Sequence, residues 1–124
     1  MYEWLQGLKN QRNFEVVEGE YVARPTIDGM AIDINDPTTF YKKEKGTDIN
    51  IAVEAITKAF NNAYDIAVFV SADTDYLPIY RTLRTIGKLV VVVGVKGQYL
   101  GKLIPCVDNF FFLDKSKFDT ILRV

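Results

Sequence analysis

Two carboxylates and a hydroxyl, Ser71, Asp73 and Asp75, follow directly on the apolar run Ile66-Ala67-Val68-Phe69-Val70. Oxygen ligands spaced in this way along a turn of small residues suit a hard divalent cation, and an Asp-x-Asp pair also suits a nucleophile and its acid. The run has no polar alternation, which predicts a strand covered on both faces within a parallel sheet, and such sheets bind ligands at the C-terminal ends of their strands. Leu77 to Thr85 then reads as a short helix with Gly87 as its C-cap, so the carboxylates lie on a strand-to-helix turn. The competing duty is structural, because Asp75 is also placed to serve as the N-cap of that helix.

The chain contains no histidine. This removes Ser-His-Asp and Cys-His catalysis, imidazole general bases and His-ligated zinc together, and favours carboxylates and a hard metal ion as the means of any enzymatic chemistry. A net charge of −1 provides no global field for nucleic acid, so such binding must rest on a local patch. The lone Cys106, set among Ile104, Pro105 and Val107, reads as a buried thiol in a reducing compartment. Met1 to Asn10 lacks the layout of a signal peptide, and the longest apolar run, Leu89 to Val93, is too short to span a bilayer. The expectation is a soluble, cytoplasmic protein.

The 124 residues suffice for one domain with a real core. Trp4, Leu5 and Leu8 place an apolar stripe on a first helix, Tyr2 to Asn10. Phe14 to Arg24 reads as extended, bent at Gly19 and ended by Pro25. Thr26 to Glu44 reads as a long loop with a short strand at Met30 to Ile34, its Asp28, Asp33 and Asp36 being turn residues or ligands. Thr47 reads as the N-cap of an amphipathic helix carrying Ile49, Ala52, Val53, Ile56 and Phe60 and ending at Asn61-Asn62. Asp48 in its first turn either complements the helix dipole or serves a site. Lys88 to Gly94 is a second apolar strand, and the glycines that follow, Gly97 and Gly101, read as punctuation. Asn109 to Leu113 is a third strand and Lys115 to Leu122 a closing helix. Strand and helix alternate from Thr47 onward, which predicts an α/β three-layer sandwich with a mostly parallel, Rossmann-like sheet.

Lys45-Gly46-Thr47-Asp48 opening a helix, Val70-Ser71-Ala72-Asp73-Thr74-Asp75-Tyr76 after a strand, Gly87-Lys88 before a valine-rich strand, and Val107-Asp108-Asn109-Phe110 stand in the order and spacing of NYN domains. Residues 45–113 resemble the LabA-like branch of this PIN-like nuclease superfamily, with its Lys-Gly-x-Asp and Ser-Gly-Asp-x-Asp-Phe blocks. The resemblance implies a metal-dependent endoribonuclease fold in which Asp48, Asp73 and Asp75 hold Mg²⁺ or Mn²⁺ and act as the catalytic carboxylates. Ser71, Thr74, Lys45, Arg81 and Arg84 would contact the RNA, and Tyr76 or Tyr99 could stack on bases. One departure stands out: similar proteins begin with a further central strand bearing an Asp. Residues 1–124 therefore read as a single, N-terminally truncated domain whose catalysis the missing strand would impair. A free sheet edge of that kind predicts a second copy or a partner chain that completes the sheet. The alternative reading is a non-catalytic module of the same fold that binds RNA or a protein, and an aspartyl phosphatase using Asp73-x-Asp75 ranks behind both.

Overall fold

The computed structural model describes residues 3–122. They fall in two compact units, Met1–Ile51 and Ala52–Val124. Tyr2, the expected start of the first helix, lies outside the described residues.

The first unit opens with α1 (Glu3–Lys9), which carries Glu3 at its positive end and Lys9 at its negative end as the helix dipole favours. Its sheet is an antiparallel pair, β1 (Glu20–Pro25) and β2 (Phe40–Lys45), in register from Glu20 opposite Lys45 to Pro25 opposite Phe40. Two expectations are corrected here. The extended segment forms a strand only from Glu20, and the strand in the following stretch is Phe40–Lys45 rather than Met30 to Ile34. Lys42, Lys43 and Lys45 conceal β2 from a hydrophobic reading, although an exposed two-stranded ladder can carry charge on either face. The connection is closed by its own polar residues. The Asp36 carboxylate accepts from the Thr38 hydroxyl at 2.7 Å and the Thr38 N–H at 3.0 Å, while Asp33 accepts from Asn35 N–H at 3.0 Å. The Thr38 hydroxyl, and then its N–H, hold the Asp36 carboxyl below its ordinary pKa. These aspartates are turn formers.

Helix α2 (Thr47–Phe60) begins in the first unit and has its C-terminal part in the second. Thr47 is its first residue, not its N-cap. The Thr47 N–H donates to Glu44 Oε1 at 3.0 Å and its hydroxyl donates to the same oxygen, so the Glu44 carboxylate satisfies an amide left over at the helix start.

The second unit runs β3 (Ile66–Val70), α3 (Leu77–Ile86), β4 (Leu89–Val95), β5 (Asn109–Leu113) and α4 (Lys115–Leu122), with only a 3₁₀ turn, Ile104–Cys106, between β4 and β5 where alternation predicts a helix. The three strands form a parallel sheet in the order β3-β4-β5, with Phe69 beside Val92 and Val93 beside Phe111. Mixed α/β architecture around a parallel sheet is therefore present as expected. Gly87 closes α3 at φ +97°, its N–H donating to the Arg84 carbonyl at 3.0 Å while the Lys88 N–H donates to Leu83. Glycine reaches that conformation without the Cβ penalty other residues incur.

The core lies on one face of this sheet, where Tyr76, Ile79, Tyr80 and Leu83 of the α3 segment, Val90 and Val92 of β4, and Leu100, Leu103 and Val107 are buried. Gly94 permits the approach of Leu100, whose Cδ1 lies 3.0 Å from where a glycine Cβ would stand. The opposite face corrects the reading of β3. Ile66, Val68 and Val70 are 53%, 59% and 71% exposed, and β3 is an edge strand. The central strand is β4, whose Val90 and Val92 are fully buried. An apolar run marks a strand of this sheet without revealing how many faces are covered. Cys106 is half-buried rather than buried.

Candidate active site

The turn after β3 is fixed by its own side chains. The Asp73 N–H donates to the Ser71 hydroxyl oxygen at 3.1 Å, and the Asp75 N–H donates to Asp73 Oδ1 at 2.9 Å. Asp73, at φ −73° and ψ 121°, is thereby the N-cap of a single 3₁₀ turn, Thr74–Tyr76, that runs directly into α3. The cap is therefore Asp73, not Asp75, and it caps the 3₁₀ turn; the residue preceding α3 itself is Tyr76, which makes no side-chain cap. The sequence reading missed this extra turn because Leu77-Pro78 places the helix start correctly and nothing in composition separates a 3₁₀ entry from a direct one. The consequence for chemistry is direct: Asp75 is relieved of capping, and Asp73 has one oxygen engaged on the backbone. Asp73, Thr74 and Asp75 are exposed, with Ser71 half-buried beneath them.

The other expected site residues belong to other elements. Asp48 is exposed in the first turn of α2, within the first unit. Lys45 ends β2 in the same unit and lines a cavity of about 540 Å³ with Glu18, Glu20 and Asn50. Arg81 is exposed midway along α3. Arg84 is in the last turn of α3, with its guanidinium 3.5 Å from Asp108 Oδ1. Asp108 immediately precedes β5, so this ion pair belongs to the N-terminal end of the parallel strands, whereas Asp73 follows their C-terminal end. Of the two tyrosines considered for stacking, Tyr76 is buried in the core and Tyr99 is 79% exposed.

Two working residues escaped the sequence reading. Asp108 is a strut: Oδ2 accepts the Val90 N–H at 2.8 Å, and the Asp108 N–H donates to the Val90 carbonyl at 2.8 Å. The Val107-Asp108-Asn109 block shows an aspartate just before a strand, yet its partner lies 18 residues away on β4 and is invisible to local pattern. Tyr80 is wholly buried, packs edge-on against Phe69 with ring centroids 4.8 Å apart, and its hydroxyl has no protein hydrogen-bond partner. Burial, and secondly the negative charge of Asp73, push the Tyr80 phenol up to about 12.

A hard cation of the magnesium type keeps several waters and is held by one or two carboxylates together with substrate phosphates. Asp73 and Asp75, exposed on one hydrogen-bonded turn, supply that class of donor. Among the described residues, no three acidic, histidine or cysteine side chains are gathered as a closed metal cage. The exposed pair therefore fits an ion shared with a substrate and not a buried structural one.

Comparison with known proteins bears on the family and the fold. An uncharacterized protein of Methanocaldococcus jannaschii is 30% identical over 78 residues, which cover 58% of this chain and 32% of that protein. The crystal structure of a Vibrio parahaemolyticus protein of unknown function superposes with a TM-score of 0.61 at 29% identity, covering 90% of this chain and 57% of the other. The chain thus spans about a third of the archaeal relative and little over half of the bacterial one. No helix among the described residues is long and apolar enough to cross a membrane. The model of the NYN domain matches residues 7–114, a span that takes in both units and the whole Ser71–Tyr76 turn, and the chain therefore belongs to the NYN domain family of PIN-like nuclease folds.

Proposed function

We propose that this protein is a metal-dependent endoribonuclease of the PIN-like type, hydrolysing RNA phosphodiester bonds at the C-terminal end of β3. The observation that carries the reading is the exposed Asp73 carboxylate, locked onto the turn by the Asp75 N–H, within a matched NYN domain. When bound, Mg²⁺ or Mn²⁺ would neutralise phosphate charge and lower the pKa of water at the site. Asp73 and Asp75 would hold the ion and orient water toward the phosphorus, and Ser71 fixes the Asp73 backbone so that the carboxylate needs no rearrangement. Thr74, exposed between them, offers a hydroxyl to a phosphate oxygen. Arg81 supplies positive charge on the exposed side of the following helix.

The test is cleavage of a labelled mixed-sequence RNA with Mn²⁺ or with EDTA, beside Asp73→Asn. Metal-dependent cleavage that disappears in the variant is the expected result. The same assay on Asp48→Asn asks whether the third carboxylate of the motif takes part. Folded wild type that cleaves nothing but retards RNA on a gel would replace the nuclease by an RNA-binding module of the same fold.

A further inference from the structure

A buried phenol hydroxyl without a partner forfeits its hydrogen bond to water and gains nothing in exchange, a net loss of stability. Tyr80 carries such a hydroxyl, on a side chain with no exposure. Phenylalanine would fill the same space against Phe69 without that cost, so the oxygen calls for a partner of its own.

The position of Tyr80 indicates which partner. It is the fourth residue of α3. Helical side chains lean toward the helix N-terminus. The ring therefore leans toward the Thr74–Tyr76 turn, and it is held there by Phe69, the penultimate residue of β3. Both elements lead to the segment 71–73. The negative charge of Asp73 bears on the phenol and opposes its ionisation. A carboxylate offers about four lone-pair sites on two oxygens, and the Asp75 N–H occupies one of them on Oδ1.

We propose that Tyr80 is a positioning residue whose buried hydroxyl donates, through one bridging water, to the Asp73 carboxylate and sets the direction in which that carboxylate faces. The hydroxyl is thereby satisfied from below the turn while the exposed side of Asp73 stays open to a ligand. Asp73 is then fixed from two elements, by the Asp75 amide along the chain and by α3 from beneath. The hydrogen bond itself does not depend on the nuclease reading; only the use made of the positioned carboxylate does.

The first readout is the Asp73 carboxylate ¹³C resonance at pH 7. Tyr80→Phe is expected to move it while leaving the Asp33 and Asp108 signals in place; an unmoved Asp73 signal overturns the proposal. The second is a thermal cycle of Tyr80→Phe in the wild-type and Asp73→Ala backgrounds. The expected result is a fall in Tm of about 4 °C in the first and none in the second. Equal shifts in both backgrounds, or a rise in the wild type, would mark the hydroxyl as a tolerated orphan of the core and overturn the assignment. Because Asp73→Ala also removes a cap, Asp73→Asn provides a second background should the alanine variant fail to fold. The third readout is the cleavage assay, where Tyr80→Phe is expected to slow cleavage several-fold without weakening RNA retention. A wild type that cleaves nothing removes the nuclease reading and leaves the hydrogen bond to be decided by the first two measurements.

Discussion

The Asp73 carboxylate accepts the backbone N–H of Asp75 at 2.9 Å, so the side chain following β3 both caps the turn and is exposed to solvent. The two duties separate by substitution. Asparagine keeps an acceptor oxygen and serves well as an N-cap, whereas alanine loses about 1 kcal/mol. Asp73→Asn should therefore melt in urea within about 0.5 kcal/mol of wild type and Asp73→Ala about 1 kcal/mol below it, with Mn²⁺-dependent cleavage absent from both. Cleavage surviving in the asparagine variant would mean that Asp73 is a cap and nothing more.

Val68 and Val92 lie on neighbouring strands of one sheet and differ in burial, 59% exposed against fully buried. Val92→Ala opens a cavity on the α3 side and is expected to cost about 2 kcal/mol, whereas Val68→Thr should stay within about 0.5 kcal/mol. Urea denaturation of the two variants checks this. Equal large losses would show that the outer face of β3 is covered in solution.

Much of this architecture was legible in the chain because the signals were local. The valine run of β4, the apolar run of β3, the Gly87 stop and the Leu77-Pro78 helix start all declare themselves within a few residues. What escaped depends on partners distant in sequence. The β2 strand is a run of charged residues that becomes a strand through its pairing with β1, and Asp108 acquires its role from Val90 across the sheet. The covered and bare faces of β3 cannot be told apart by composition, since Phe69 and Val68 are both apolar and only α3 packing distinguishes them. At the site, the residue types and their turn were legible while the division of labour between Asp73 and Asp75 was not. That division hinges on one 3₁₀ turn.

Asp108 joins β4 to the start of β5 by taking the Val90 N–H, and its other oxygen meets Arg84. Asp108→Ala leaves a backbone amide on a fully buried residue without that acceptor, so a loss of about 1–3 kcal/mol is expected. Arg84→Ala removes an ion pair open to solvent and is expected to cost about 1 kcal/mol or less. Chemical melts of the two variants make the comparison. A larger loss from the arginine than from the aspartate would invert the assignment and place the weight on the ion pair.

Alkaline unfolding provides a test centred on Tyr80. Its phenol is pushed up to about 12 by burial and then by the charge of Asp73, against an ordinary value of 10.0 in the unfolded chain. Between those values the folded state retains a proton that the unfolded state has released. Raising the pH therefore favours unfolding, and the stabilisation, complete below pH 10, is lost as pH rises through 12. Two units correspond to at most about 3 kcal/mol. Tyr64, whose hydroxyl donates to the Ala55 carbonyl at 2.6 Å, is raised by burial in the same direction and contributes to the wild-type curve. Comparing Tyr80→Phe with wild type cancels the Tyr64 contribution. The variant should show a shallower fall in Tm between pH 10 and pH 12, together with the loss of one late-titrating tyrosine from the absorbance change at 295 nm. Superimposable curves would mean that Tyr80 ionises no later in the folded protein than in the unfolded chain.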